Sequence, residues 1–83
     1  MRPSGDKQLI EALGSEVRAR RNELKLTQED VAGRCDLDRP YVTLIEAGRK
    51  QPTLSVLFKL ALALELNFGE FASRVEARYR KPG

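Results

Sequence analysis

Histidine is absent from this 83-residue chain, and cysteine occurs once, as Cys35. Without histidine and with a lone thiol no zinc site can be drawn, and an internal disulfide is impossible. Secreted domains of this size usually depend on several disulfides, so a single cysteine fits a reducing cytoplasm, the expected location. Long apolar runs are missing as well. The opening Met1-Arg2-Pro3-Ser4-Gly5-Asp6 lacks the apolar core of a signal peptide, and no stretch reaches the roughly 20 residues that span a bilayer. The greasiest segment, Leu54 to Leu66, is interrupted by Lys59 and Glu65 and reads as a buried helix. No Gly-rich phosphate loop and no paired catalytic carboxylates stand out, and Cys35 sits at an apolar anchor position. These absences argue against an enzyme, and no metal, cofactor or small-molecule ligand is expected.

Sustained alternation of β-branched and polar residues is also lacking, whereas apolar residues recur at helical spacing almost throughout. An all-α fold is predicted. A chain this short buries only about 60–70% of its unfolded surface, so one domain is expected and a second core is not. The net charge of +3 is too small to identify an anionic partner by itself. Its placement is more informative: positive residues cluster as Arg18/Arg20/Arg21/Lys25, Arg49/Lys50 and Arg74/Arg78/Arg80/Lys81. That grouping is compatible with a one-sided electrostatic footprint and equally with ordinary solvated helix faces.

Five helices can be placed. The first runs from about Lys7 to Leu24, with Leu9, Leu13, Val17 and Leu24 on one stripe; Gly14 weakens it without ending it. The second starts at Thr27, whose hydroxyl can cap a free N–H while Asp30 reaches back, and ends near Arg34 or Cys35. Asp36 is a residue type that tolerates the left-handed conformation of a tight turn. Asp38 is expected to cap a third helix, with Pro40 in its first turn, Leu37 stapling onto Val42, and Gly48 as its left-handed stop. Thr53 caps a fourth helix, about Leu54 to Leu64, apolar around most of its circumference and therefore expected to be central, its leucines core. Asn67 with Glu70 repeats the capping logic for a fifth helix, Phe68 to about Tyr79. The domain is thus expected at 7–79, between flexible tails at 1–6 and 80–83.

The informative segment is Gln28-Glu29-Asp30-Val31-Ala32-Gly33-Arg34-Cys35-Asp36-Leu37-Asp38-Arg39-Pro40-Tyr41-Val42-Thr43-Leu44-Ile45. Two helices crossing a short turn at a wide angle need apolar anchors on both sides and a small residue where they touch. Val31, Cys35, Leu37, Val42 and Ile45 supply the anchors, and Ala32 the small contact. A purely structural helical hairpin satisfies the same spacing.

These residues, with Thr27-Gln28-Glu29-Asp30-Val31-Ala32, Ile45-Glu46-Ala47-Gly48-Arg49, Pro52-Thr53-Leu54 and Leu60-Ala61-Leu62-Ala63-Leu64, resemble the lambda-repressor-like, Cro/repressor (XRE-type) helix-turn-helix regulators over about Leu13 to Phe71. Within that family, Leu37-Asp38-Arg39-Pro40-Tyr41-Val42-Thr43 looks most like the controller proteins of restriction-modification systems. The chain departs from the pattern at Asp36, where many members have glycine, and at Gly33, inside a helix. The resemblance implies a transcriptional regulator that places the third helix in the major groove of double-stranded DNA. Arg39, Pro40, Tyr41, Thr43 and Leu44 would lie on its base-facing side, Arg39 being best suited to guanine O6 and N7. Pro40 can instead serve only as helix starter, Tyr41 can pack on the rim, and Arg39 can pair with Asp36. Gln28, Thr27, Arg20, Arg49 and Lys50 are expected at phosphates, and Arg21 with Glu46 as an ion pair orienting the reading helix. The bland alternatives are a solvated Gln28 and helix-end charge compensation by Arg49 and Lys50.

One short helix reads only a few base pairs, so a homodimer on two half-sites is expected. Phe68, Phe71, Val75 and Tyr79 on the fifth helix are the candidate interface, unless all serve as core. A rival reading keeps the fold but uses it as an antitoxin-like adaptor that binds another protein.

Overall fold

The computed structural model describes residues 6–80, which form five helices: α1 (Lys7–Glu23), α2 (Gln28–Cys35), α3 (Arg39–Glu46), α4 (Leu54–Ala63) and α5 (Phe68–Arg80). No strand occurs among the described residues. The predicted tails fall mostly on 1–5 and 81–83, outside the described residues. Asp6 and Arg80 depart from that expectation. The Asp6 carboxylate accepts the Leu9 N–H at 3.1 Å as the cap of α1, and the Tyr79 hydroxyl at 2.7 Å; Arg80 closes α5.

Helix starts follow the polar residues in the sequence. Thr27 and Asp30 form a reciprocal capping box, the Asp30 N–H donating to Thr27 Oγ1 at 3.0 Å and the Thr27 N–H to Asp30 Oδ2 at 2.8 Å. Asn67 and Glu70 repeat it at 2.8 and 3.0 Å, and Thr53 accepts from the Val56 N–H at 3.2 Å. Asp38 is the exception: it occupies the cap position of α3 with extended backbone, yet its side chain makes no capping bond.

Helix ends share one device. Lys25, Asp36, Gly48 and Glu65 all have positive φ, between 59° and 71°. After each, the next N–H reaches back to a carbonyl five residues earlier: Leu26 to Arg21, Leu37 to Ala32, Arg49 to Leu44 and Leu66 to Ala61, at 2.9 to 3.0 Å. This double-backed ending satisfies carbonyls that the helix leaves open and turns the chain sharply. Only Gly48 adopts the left-handed region without a Cβ penalty. In the other three turns a leucine follows at once, and burial of Leu26, Leu37 and Leu66 against the core offsets the strain.

The core gathers Leu13 and Val17 of α1, Val31, Ala32 and Cys35 of α2, Val42 and Ile45 of α3, Leu60, Ala61 and Leu64 around α4, and Phe71 and Val75 of α5. α1 lies between α3 and α5, and α2 bridges α3 and α4. The sequence reading of α4 as central needs correction. Leu60 and Leu64 are fully buried, but Leu54, Phe58 and Leu62 are 71%, 52% and 58% exposed. Apolar residues all round do not ensure cover all round, and among the described residues α4 packs chiefly on the side facing α2 and α5.

Candidate nucleic-acid interface

The N-terminus of α2, the outer face of α3 and the loop after it form one continuous surface. Val42 and Ile45, fully buried, anchor α3 to the core, and this anchoring turns Arg39, Pro40, Thr43 and Leu44 outward, where they line a shallow open groove. Arg39 is exposed, and among the described residues it forms no ion pair with Asp36. A free planar fork beside a threonine hydroxyl and a leucine side chain can address a base edge and a thymine methyl.

Behind this face lies a hydrogen-bonded chain that holds α3 in place. Glu46 at the end of α3 is buried, its side chain 2% exposed. Arg21 grips it with two bonds, Nε to Oε2 at 2.7 Å and Nη2 to Oε1 at 3.0 Å, and donates Nη1 to the Leu26 carbonyl at 3.0 Å. The bonds from Glu46 raise the Arg21 pKa further, so the charge is permanent. Gln28 Nε2 donates to Glu46 Oε1 at 3.1 Å, and the Thr43 hydroxyl donates to Gln28 Oε1 at 2.8 Å. Because Glu46 can only accept, the Gln28 amide orientation is fixed, leaving one N–H of its NH2 for another acceptor. Gln28 therefore ties the start of α2 to Thr43, a link that sequence reasoning did not draw.

Gly14 was read as a weak point of α1 and is instead a close-approach site. A Cβ there would collide with the Ile45 carbonyl and lie 2.8 Å from that of Glu46, both backbone atoms. Only glycine lets α1 come near enough for Arg21 to grip Glu46. The signal was present as a lone glycine in a helical pattern one to two turns before the arginine cluster.

The flanking cations divide into two groups. Arg49 and Lys50 are exposed directly after α3, and Lys50 Nζ sits 5.4 Å from the centre of the Tyr41 ring. Tyr41 is half-buried against the core, so its ring positions Lys50 more than it offers itself to a base. Thr27 is exposed, and its hydroxyl oxygen accepts the Asp30 N–H in the capping box, which leaves its own O–H to donate. Arg20 corrects the sequence reading: its Nε donates to the Leu64 carbonyl at 2.9 Å and its Nη1 to Glu23 at 3.1 Å, leaving the side chain only 20% exposed. It closes the end of α4 instead of facing the reading surface. Arg18 is the exposed α1 cation beside α3, its side chain 58% open and its Nε 3.8 Å from Glu46. Its spacing of one turn from Arg21 was the available signal, because residues three apart share a face.

The dimer candidates on α5 also need correction. Phe71 and Val75 are 2% and 8% exposed and belong to the core. Their face is covered by α1 and α4, which the helical spacing alone could not reveal. Phe68 is half-buried, and Tyr79 is exposed but hydrogen-bonded to Asp6. A second network the sequence did not reveal binds α5 to α1: buried Glu16 accepts Arg74 Nε at 2.7 Å and Arg78 Nε at 2.8 Å. No described helix is long and apolar enough to cross a membrane.

The family model described as Helix-turn-helix matches residues 17–71, the span from the α1 core through α5's first turn. The chain is 36% identical over 61 residues to the HTH-type transcriptional regulator y4dJ of Sinorhizobium fredii, covering 74% of this chain and 79% of that protein. Among solved structures it is similar to the restriction-modification controller protein C.AhdI from Aeromonas hydrophila, with 34% identity, a TM-score of 0.72, and coverage of 75% and 94% of the two chains. It is also similar, at 27% identity and a TM-score of 0.81 over 88% and 96% of the chains, to the controller protein C.Esp1396I, solved as a tetramer in complex with its natural 35 base-pair operator. With a bipartite helix-turn-helix held by a buried Arg–Glu pair and relatives of this kind, the chain belongs to the XRE-type helix-turn-helix family, and within it is similar to the restriction-modification controllers.

Proposed function

We propose that the protein is a sequence-specific, double-stranded DNA-binding regulator of transcription that sets α3 in the major groove and works as a homodimer on a two-fold operator. The observation that carries this reading is the outward face of α3, where Arg39 is exposed beside Thr43 and Leu44 and has no ion-pair partner among the described residues. Arg39 reads guanine through its fork, and Leu44 and Pro40 pack against base edges. Arg49, Lys50 and Arg18 take the flanking phosphates, supplying affinity that is blind to sequence and sensitive to salt. The free Gln28 N–H and the backbone at the α2 start meet a phosphate on the near strand. The complex of C.Esp1396I with its operator supports the assignment. The proposal assigns no reaction to the chain, which acts where DNA is, in the cytoplasm.

Selection of bound duplexes from a random pool, followed by footprinting of the best sequence, tests the reading. A two-fold sequence with half-sites about one helical turn apart is expected. Recovery of no enriched sequence, with a protein partner captured in its place, would establish the adaptor reading.

A further inference from the structure

Arg21, Glu46, Gln28 and Thr43 form a hydrogen-bonded line from the interior to the reading face, and the line has a direction. Arg21 is a donor with a permanent charge, and the buried Glu46 carboxylate it grips can only accept. Glu46 Oε1 therefore draws the NH2 group of Gln28 to 3.1 Å and turns the Gln28 carbonyl oxygen toward Thr43, at 2.8 Å. The Thr43 hydroxyl has a single proton. Its hydrogen-bond neighbours among the described residues, Gln28 Oε1 at 2.8 Å and the Arg39 carbonyl at 3.2 Å, are both acceptors. Whichever takes the proton, it is committed within the protein, and the oxygen is left with lone pairs alone. Thr43 is nevertheless exposed, and it lines the groove one helical turn beyond Arg39.

We infer that Thr43 is a specificity-determining residue that reads a base as an acceptor, and that Gln28, held by Glu46, is the positioning residue that fixes this polarity. Donors in the major groove are the exocyclic amino groups, N6 of adenine and N4 of cytosine, whereas purine N7, guanine O6 and thymine O4 are acceptors. An oxygen with no proton to offer accepts from an amino group and is repelled by guanine O6 or thymine O4. Arg39 has the opposite character, donors without an acceptor. The first turn of α3 thus selects a keto base and the second an amino base. A threonine free to rotate its hydroxyl would take either. The assignment rests on the functional reading above, in which α3 lies in the major groove.

Anisotropy titrations of the selected duplex, remade with single functional groups deleted, test it. Thr43→Val keeps the shape, loses the oxygen and binds about five- to tenfold more weakly, the scale of one neutral hydrogen bond; Thr43→Ser stays close to the parent. Deleting the amino group of one particular base, with purine for adenine or pyrimidin-2-one for cytosine, abolishes the difference between parent and Thr43→Val. Deleting N7 with a 7-deazapurine leaves that difference intact. Gln28→Ala, which releases the Thr43 proton, accepts the same base pair turned end for end, while its preference at the position read by Arg39 is unchanged. A Thr43→Val protein that binds as the parent does, or a difference that survives every amino deletion or disappears with a 7-deazapurine, overturns the acceptor assignment. A parent-like preference at that base pair in Gln28→Ala overturns the relay. In each of these outcomes the parent still binds duplex DNA and the functional reading stands, whereas a parent that ignores duplex DNA overturns both.

Discussion

Arg39 and Lys50 are both exposed cations on the same surface, but their surroundings give them different work. Arg39 projects from the first turn of α3 into the open groove with Thr43 and Leu44, whereas Lys50 lies beyond the helix on the Tyr41 ring. Arg39→Ala is therefore expected to cost about 1–3 kcal/mol of binding and to relax one operator position, and Lys50→Ala to weaken matched and mismatched duplexes alike while lowering the salt slope by about 1. Anisotropy titrations on a matched and a mismatched duplex distinguish the two, and equal effects on both sequences from both variants contradict this division. Glu46 belongs to another class of residue. With its carboxylate buried and gripped by Arg21, replacing Arg21 by alanine strands a charge and is expected to destabilise the fold by about 3–5 kcal/mol. The Arg21→Met/Glu46→Leu double variant recovers most of that in urea denaturation, yet loses the link to Gln28 and Thr43. That pair was legible in the sequence through the family resemblance. The continuation through Gln28 was not, because it depends on a crossing between α2 and α3 that brings residues 15 positions apart to 2.8 Å.

At the scale of helices, two glycines separate what local pattern conveys from what packing decides. Both Gly14 and Gly33 interrupt helices and look equally unfavourable by propensity. Yet a Cβ at Gly33 meets nothing within 4 Å, while one at Gly14 meets two α3 carbonyl groups. Gly33→Ala is expected to stabilise the protein by roughly 0.5–1 kcal/mol. Gly14→Ala pushes α1 from α3, lowering the melting temperature and DNA affinity together. Thermal melts of the two variants shifting in the same direction would contradict this reading. Helix starts were legible because caps are local chemistry, and four of the five helices follow a side-chain cap or capping box. The left-handed ends at Lys25 and Glu65 were missed, since neither residue type favours that region and the leucine behind each one holds the turn.

The α1–α5 clasp carries a pH dependence. The Tyr79 hydroxyl, and then the Leu9 N–H, lower the Asp6 pKa from its ordinary 3.8, while Asp6 raises that of Tyr79 from 10.0. The carboxylate's contribution is present above pH 3.8 and lost as pH falls through the lowered folded value; the phenol's is present below pH 10.0 and lost as pH rises through the raised one. Tyr79→Phe is thus expected to melt below the parent near neutral pH and to converge with it in strong acid. A constant difference across that range would contradict the assignment.

The described residues extend 35 × 26 × 20 Å, so one copy presents one reading helix to one stretch of groove, and successive major-groove faces lie about 34–36 Å apart. Two copies are what specificity over an operator demands. The all-α architecture was legible throughout the described chain, since every helix announced itself by apolar spacing. Which faces are left uncovered was not: periodicity marks an apolar side chain but not whether a neighbour reaches it. That is why spacing alone makes Phe71 and Val75 interface candidates and the α4 leucines Leu54 and Leu62 core, whereas the first two are buried and the last two exposed. The contact proposed for α3 with duplex DNA runs through Arg39, with phosphate support on either side. Its most direct test is the affinity of the parent and of Arg39→Ala for the selected duplex across a salt series. Steep, parallel salt dependences offset by about 1–3 kcal/mol are predicted. No binding in dilute buffer, or an Arg39→Ala curve superimposed on the parent's, would contradict it.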